Sequence, residues 1–232
     1  MALPDGFVYL KEINPRIVPN LRYFSHENFV GSRISGYHAN EVILTRQAAE
    51  ALSKAQEKFE QDGNTIVVYD AYRPKKAVHF IINWLEDPND DSQRPKYYPN
   101  RSKHDILELG FFNKNSSHSR GSTVDLTIMK LGNSIKHNRW INRRLLDGQE
   151  ILYHDDDTVD MGTSYDYLDE ASYHDSSVVP REFNDRRDYL KNVMKSCGFN
   201  EYHKEWWHYT LANEPFPTTY FDFDVETAQN KQ

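Results

Sequence analysis

Apolar positions in the first third of the chain follow a helical period. Between residues 48 and 59 they are spaced four, three and four residues apart, which is typical of one buried face of a helix. Thr45 can cap the start of this helix, and Gly63 can close it after about Gln61. The apolar face consists of Ala48, Leu52, Ala55 and Phe59.

A strand and a second helix are predicted directly after the first helix. Residues 65–71 are rich in Ile and Val, which favours a strand. Pro74 then opens a helix over roughly residues 75–85, because its fixed φ suits the first helical turn. Arg73 therefore lies at a strand-to-helix junction. From residue 86 to residue 116 the chain is crowded with Asn, Asp, Ser and Pro, so we expect a loop there.

The rest of the chain mixes strands and helices without a regular alternation. Residues 122–128 predict a strand and residues 140–146 a short helix, while the acidic run 155–157 is expected to be a solvated surface. Asn184 can cap a final helix that ends at about Cys197. This mixture indicates an α+β fold, and the length of 232 residues suits one domain over residues 1–232. The inner face of the final helix would hold Leu190, Val193, Met194 and Cys197.

Composition narrows the class of protein without identifying the activity. The net charge of -7 argues against a nucleic-acid partner, which would require a basic face. No run of 18 apolar residues is present, so no membrane span is expected. The first residues lack the features of a signal peptide, which predicts a cytoplasmic protein, or a periplasmic one if a signal peptide has been removed. The oligomeric state stays open, with a homo-oligomer among the alternatives.

Two short blocks supply the side chains of a hydrolytic zinc site. Residues 116–125 contain His118 and Asp125, and residues 205–208 contain Glu205 and His208. A catalytic zinc usually takes three protein ligands and leaves a fourth position for water. His118, Asp125 and His208 can be those ligands, with one Zn²⁺ per chain, and Glu205 can accept the proton of the water.

The spacing of these residues requires irregular backbone. Side chains seven residues apart point to opposite faces of a flat strand, so Gly121 must let the chain turn between His118 and Asp125. Glu205 and His208 are three residues apart in what is predicted to be a strand, which requires twist, a bulge or a strand end. Without a metal, His208 would instead be a core histidine and Glu205 a carboxylate at the rim.

Arg73 has two interpretations on its residue context alone. A guanidinium at the end of a rigid strand can reach into a pocket and donate to an oxygen atom. It could equally clamp a carboxylate in a structural ion pair. The neighbouring Asp70 could position Arg73, or it could be a solvated carboxylate at the strand end.

In this order the blocks resemble the zinc D-alanyl-D-alanine dipeptidases of the vancomycin-resistance type, within the D-Ala-D-Ala peptidase and hedgehog-like superfamily. The family pattern Ser-x-His-x-x-Gly-x-Ala-x-Asp is met at residues 116–125, except that Thr123 replaces Ala, and Glu-x-x-His is met at residues 205–208. Three further segments are similar, so the resemblance runs from about Tyr23 to Thr210. These segments are 28–37, 69–74 and 160–163.

The resemblance implies a fold and further roles. The fold would be a central, mostly antiparallel sheet flanked by helices, with a longer loop inserted at about residues 131–159. Arg73 would stabilise the oxyanion, which favours the functional interpretation of that residue. Asp160 and Tyr23 would bind the amine end of a dipeptide, and Ser116 its carboxylate end. His174 falls where the family carries a Ser-His pair and is a candidate for a supporting role behind the ligands.

The resemblance predicts a zinc-dependent dipeptidase that hydrolyses D-alanyl-D-alanine, a small dipeptide of cell-wall metabolism. One alternative is a peptidoglycan carboxypeptidase or endopeptidase of the same fold, which needs an open groove for longer peptides. The other is a zinc-stabilised binding module without turnover. Such a module has no need for a base at Glu205 or for Arg73, and both residues are present.

Overall fold

The computed structural model describes residues 3–136 and 138–228. Its helices and strands follow in chain order. They are β1 (Phe7–Tyr9), α1 (Leu10–Ile13), β2 (Val18–Pro19), β3 (Ile43–Thr45), α2 (Arg46–Gln61), β4 (Asn64–Asp70), α3 (Lys75–Glu86), α4 (Arg94–Tyr97), α5 (Lys103–Glu108), β5 (Thr123–Lys130), β6 (Arg139–Arg144), β7 (Glu150–Asp155), α6 (Arg181–Ser196), β8 (Phe199–Tyr202) and β9 (Glu205–Leu211).

A five-stranded sheet forms the centre, in the order β2-β4-β5-β9-β8. Only the pairing of β2 with β4 is parallel in this sheet, and the other three pairings are antiparallel. Helix α2 packs against β4, and α6 packs against β8 and β9. Two smaller two-stranded sheets pair β1 with β3 and β6 with β7. The prediction of an α+β fold with a mostly antiparallel central sheet and flanking helices is confirmed.

The predicted beginnings of the first two helices are confirmed. The Thr45 side chain accepts a hydrogen bond from the backbone N–H of Ala48, which caps α2. Gly63 follows this helix with a φ of +71°, a value that favours glycine. Pro74 precedes α3, so Arg73 lies between the end of β4 and the start of that helix.

Three predictions about secondary structure are wrong. Residues 140–146 lie mostly in a strand, because β6 pairs with β7 along its whole length. The expected loop 86–116 contains α4 and α5, and α5 begins with a capping box formed by Ser102 and Asp105. The final helix begins at Arg181 and not after Asn184, since Pro180 provides its start.

The acidic run 155–157 is not simply solvated. Asp156 is only 4% exposed and forms a buried ion pair with Arg22. A solvated carboxylate was expected because a sequence does not show which side of a turn faces the core. Among the described residues, no helix is long and apolar enough to cross a membrane.

Candidate metal centre and active site

Three predicted ligands meet where strands β5 and β9 pair. Asp125 on β5 lies directly opposite His208 on β9 in the antiparallel register. His118 precedes β5 in a short 3₁₀ turn, Ser117–Arg120, and not on the strand itself. Gly121 ends that turn with a φ of +82°, and a Cβ there would lie 2.2 Å from a ring carbon of Phe7. The turn that Gly121 was predicted to make therefore brings His118 back towards Asp125.

The three predicted ligand atoms are spaced as a tetrahedrally bound metal ion requires. The distance from His118 Nε2 to Asp125 Oδ1 is 3.2 Å, and that from His208 Nδ1 to Asp125 Oδ1 is 3.1 Å. The two ring nitrogens are 3.3 Å apart. Metal–ligand bonds of about 2.0–2.1 Å in a tetrahedron separate the ligand atoms by about 3.3–3.4 Å. The donor set and its spacing therefore fit one zinc ion.

The remaining atoms of these side chains are turned away from the centre. His118 Nδ1 lies 2.8 Å from the carbonyl oxygen of Ala71, so it donates there and leaves the Nε2 lone pair free. His208 Nε2 lies 3.4 Å from the hydroxyl of Ser117. Asp125 Oδ1 is buried and has no hydrogen-bond partner among the described residues. Its near neighbours are the ligand nitrogens of His118 and His208, at 3.2 Å and 3.1 Å, so a cation between the three atoms would contact all of them.

Contacts among these side chains also set the charge state of the centre. Burial opposes ionisation of Asp125, but the imidazoles of His118 and His208 outweigh it and lower the pKa of Asp125 well below its usual value. Burial also opposes the charged form of His208 and so lowers its pKa. The carboxylates of Asp125 and Glu205 outweigh this effect and raise the pKa of His208 to about 9. A bound metal ion would take the place of this proton.

Glu205 lies beside the ligands without being one of the three. Its Oε2 atom is 3.4 Å from His208 Nδ1, and the residue is 7% exposed. The pairing of β8 with β9 is irregular between Glu201 and Tyr202, so Tyr202 lies opposite Glu205. This irregularity agrees with the bulge or twist that the three-residue spacing required.

Arg73 reaches the same centre from the end of β4. Its Nε donates to Asp70 Oδ2 at 2.8 Å, and the other oxygen of Asp70 accepts from Tyr37 at 2.6 Å. The guanidinium carbon lies 4.9 Å from the centre of the Tyr23 ring. With both of its oxygens engaged, the Asp70 carboxylate holds the orientation of Arg73.

A cavity of about 270 Å³ opens in front of the ligands and collects most of the predicted site residues. The loop of residues 110–117 and Tyr202 form part of its wall. That loop is tied down because Tyr202 donates to the carbonyl of Gly110 and Lys204 to that of Leu109. The predicted residues that line the cavity are Tyr23, Arg73, Ser116, His118, Asp125, Glu205 and His208.

Three of the predicted residues do not line the cavity: Asp70, which lies behind Arg73, Asp160 and His174. Asp160 does not line it, because both carboxylate oxygens of Asp160 pair with the guanidinium of Arg143. The assignment of Asp160 to the amine end is therefore corrected. His174 is 4% exposed and packs its ring against that of Tyr209, with neither ring nitrogen hydrogen-bonded to a described residue. Burial lowers the pKa of His174 to about 4.

Asp166, which the sequence analysis did not select, lies at the cavity although Asp160 does not. It lines the cavity, is 4% exposed and accepts a hydrogen bond from the Tyr23 hydroxyl at 2.9 Å. Burial and the carboxylate of Asp125 raise its pKa well above the usual value. Its φ of +57° is uncommon for a residue other than glycine. No motif distinguishes Asp166 from the many other acidic residues, so the sequence offered no signal for it.

The Thr123 hydroxyl, which replaces the alanine of the family pattern, is buried between two strands of the sheet. It lies 2.9 Å from the hydroxyl of Thr210, its partner in the β5–β9 register. The substitution therefore adds a hydrogen bond between these strands and leaves the ligands in place.

Comparison with known proteins gives the same family throughout the chain. A family model described as D-ala-D-ala dipeptidase matches residues 4–136 and 149–226, and the unmatched residues 137–148 include β6. A protein of Enterococcus faecalis named D-alanyl-D-alanine dipeptidase is 35% identical over 96% of this chain and 100% of its own length. Proteins of the same name from Enterococcus faecium and Streptomyces coelicolor are 33% and 34% identical, over 95% and 96% of this chain and 98% and 100% of their own lengths. The chain thus belongs to the D-Ala-D-Ala dipeptidase family of metallopeptidases.

Proposed function

We propose that this protein is a zinc-dependent dipeptidase that hydrolyses D-alanyl-D-alanine to two molecules of D-alanine. The observation that carries the proposal is the arrangement of three convergent ligand atoms at a small cavity. One of them, Asp125 Oδ1, is buried without a hydrogen-bond partner among the described residues. Glu205 and Arg73 line the same cavity.

The choice of zinc rests on the chemistry of the donor set. Two imidazole nitrogens and one carboxylate oxygen suit zinc, whereas calcium and magnesium prefer sites made only of oxygen atoms. When bound, such an ion polarises a carbonyl group and makes water a stronger acid. His118, Asp125 and His208 would hold one ion per chain.

The protein's own side chains supply the proton transfer and the charge stabilisation. Glu205 is placed to take a proton from the attacking water and to return it to the amine that leaves. Its Oε2 lies 3.4 Å from a ligand atom of His208, which keeps it next to the reacting atoms. Arg73 would donate to the carbonyl oxygen as negative charge develops on it, and Asp70 holds it in that position.

The two charged ends of a dipeptide need two different environments. Asp166 and Tyr23 offer a buried carboxylate and a hydroxyl on the wall of the cavity. An ammonium group would supply the cation that favours the ionised form of Asp166, whose pKa is raised by burial. Ser116 lines the same cavity and would bind the carboxylate end.

The size of the cavity supports a short substrate. Pockets that enclose drug-sized ligands hold about 300–1,000 Å³, and this cavity holds about 270 Å³. A carboxypeptidase or endopeptidase acts on a longer peptide, in which the nitrogen of the penultimate residue is an uncharged amide. Such a substrate would bring no ammonium group to the buried carboxyl group of Asp166. The presence of Glu205 and Arg73 in the cavity favours an enzyme over a binding module.

A comparison of three substrates tests the proposal. The zinc-loaded protein is incubated with D-Ala-D-Ala, with L-Ala-L-Ala and with an N-acylated tripeptide that ends in D-Ala-D-Ala, and the released alanine is measured. We expect D-Ala-D-Ala to be cleaved fastest by far, because acylation removes the ammonium group that Asp166 would bind. Chelation should abolish the activity. Equal rates on D-Ala-D-Ala and the tripeptide would support the carboxypeptidase interpretation instead.

A further inference from the structure

The hydroxyl group of Tyr165 lies against the metal ligand Asp125, on the side away from the other two ligands. We propose that Tyr165 is a positioning residue, which determines that Oδ1 and not Oδ2 of Asp125 faces the metal. This inference rests on the metal centre of the proposed function and adds a residue to it. No sequence motif selects Tyr165, because its role depends on a contact between residues 40 positions apart.

The two oxygens of Asp125 have different surroundings. Oδ1 lies 3.2 Å and 3.1 Å from the ligand nitrogens of His118 and His208 and has no hydrogen-bond partner among the described residues. Oδ2 accepts a hydrogen bond from the Tyr165 hydroxyl at 3.0 Å. The guanidinium of Arg73 lies 3.6 Å from the same Oδ2 atom, beyond ordinary hydrogen-bond length. Tyr165 therefore provides the close donor that distinguishes Oδ2 from Oδ1.

The Tyr165 side chain is itself held in place by packing. Its ring stacks on that of Tyr69 with 4.7 Å between centroids and meets the ring of Trp207 edge-on at 5.4 Å. Tyr69 in turn donates to Asp156 Oδ2 at 2.7 Å, so it cannot move aside easily. A hydroxyl on a fixed ring can impose an orientation on a carboxylate, whereas a mobile donor would follow it.

Loss of this hydroxyl should weaken metal binding. Without the donor, Asp125 Oδ2 would be buried with Arg73 at 3.6 Å as its nearest cation, and the carboxylate could bind the metal through both oxygens. Removal of a group that orients a metal ligand typically costs 10- to 100-fold in metal affinity or activity. We expect the dissociation constant for zinc to rise about 10- to 100-fold in Tyr165→Phe.

The experiment measures zinc affinity directly, by competition with a chromophoric chelator at one pH. Tyr167→Phe is the matched control, because Tyr167 lies two residues further on, is fully buried and has a hydroxyl without a hydrogen-bond partner among the described residues. We expect Tyr167→Phe to bind zinc as the unchanged protein does. A dissociation constant within twofold of the unchanged protein for Tyr165→Phe would overturn the proposal, as would an equal weakening in both variants.

A spectroscopic readout separates positioning from general loosening of the fold. Four-coordinate cobalt absorbs visible light more strongly than five-coordinate cobalt, so a carboxylate that binds through both oxygens should weaken the bands of the cobalt-loaded Tyr165→Phe protein. Identical spectra for that variant and the unchanged protein would contradict the proposed role. If Tyr165→Phe fails to fold, Tyr165→Leu also lacks the donor and is measured in the same way. Failure of the unchanged protein to bind zinc would overturn the proposed function itself.

Discussion

Two clusters of buried charged side chains lie side by side in this protein and differ in one respect. The first, the candidate metal centre, consists of His118, Asp125 and His208. The second, which we call the Arg22 cluster, consists of Arg22, Tyr69, His154 and Asp156. All of these side chains are buried except that of His208, which is 15% exposed. Tyr165 lies between the two clusters: its ring stacks on Tyr69 of the second, and its hydroxyl donates to Asp125 of the first.

In the Arg22 cluster, both oxygens of the Asp156 carboxylate have hydrogen-bond or ion-pair partners. Asp156 Oδ2 pairs with Arg22 and accepts from Tyr69 at 2.7 Å, and Oδ1 accepts from Thr158 at 2.6 Å. At the metal centre, by contrast, Asp125 Oδ1 has no hydrogen-bond partner among the described residues and faces a cavity. Burial of charge is therefore common to a structural and a functional cluster. The candidate metal centre differs because Asp125 Oδ1 meets two imidazole nitrogens beside an open cavity, where a metal ion could bind.

The largest expected effect concerns the proton transfer at the metal centre. Glu205→Gln removes the base and keeps the three ligands, so we expect kcat to fall about 100- to 10,000-fold with zinc retained. His208→Ala removes a ligand and should lose the metal. Bound zinc, melting temperature and released D-alanine are measured for both variants. Near-full activity in Glu205→Gln, or loss of zinc as complete as in His208→Ala, would show that Glu205 is not the base.

The Arg22 cluster should respond to mutation in stability and not in metal binding. Asp156→Asn leaves the buried guanidinium of Arg22 without its counter-ion, which should lower the free energy of unfolding by about 3–5 kcal/mol. The neighbouring Asp155→Asn is the control, because its ion pair with Arg139 is exposed and worth at most about 1 kcal/mol. Urea unfolding and zinc affinity are measured for both. A large loss of zinc affinity in folded Asp156→Asn would mean that the clusters do not act separately.

The third prediction compares two aspartates near the metal centre. Asp166→Asn should lower kcat/KM for D-Ala-D-Ala about 10- to 100-fold, because the ammonium group would lose a charged partner. Asp160→Asn should change kcat/KM less than about twofold, since its carboxylate pairs with Arg143 outside the cavity. Steady-state kinetics on purified variants measure both. The reverse order would restore the assignment of Asp160 to the amine end.

The smallest expected effect is a pH dependence of stability. Burial lowers the pKa of His174 in the folded state to about 4, from about 6.5 in an unfolded chain. As the pH falls below 6.5, the unfolded chain binds a proton that the folded protein does not, so stability present at neutral pH is lost towards pH 4. Between pH 7 and pH 4.5 this residue should cost about 2 kcal/mol.

His174→Leu should remove that part of the pH dependence. Its ring nitrogens make no hydrogen bond with a described residue, so an apolar side chain fits their surroundings. Unfolding of the metal-free protein in urea at pH 7 and pH 4.5 gives the difference. His79→Leu, on the exposed face of α3, is the control and should keep the dependence of the unchanged protein. An unaltered pH dependence in His174→Leu would show that His174 is already protonated in the folded state.

Local pattern was sufficient for the elements that stabilise themselves. The apolar spacing and Thr45 located α2, and Pro74 located the start of α3. Residues 140–146 were wrongly predicted to be helical. Strand β6 forms by pairing with β7, and its own sequence does not show that partner. The irregular backbone at Glu205 could be inferred, since only a bulge or twist allows its three-residue spacing to His208.

The sequence by itself determined which chemical groups exist: two histidines, an aspartate, a glutamate and an arginine, in motifs whose order indicates a metallopeptidase. The tertiary structure alone decided which further side chains lie next to these groups. It placed Asp166 and not Asp160 at the cavity, and it brought the Tyr165 hydroxyl to Asp125. The physical reason is that ligand chemistry belongs to individual side chains, whereas burial, pairing and orientation arise from contacts between distant segments of the folded chain.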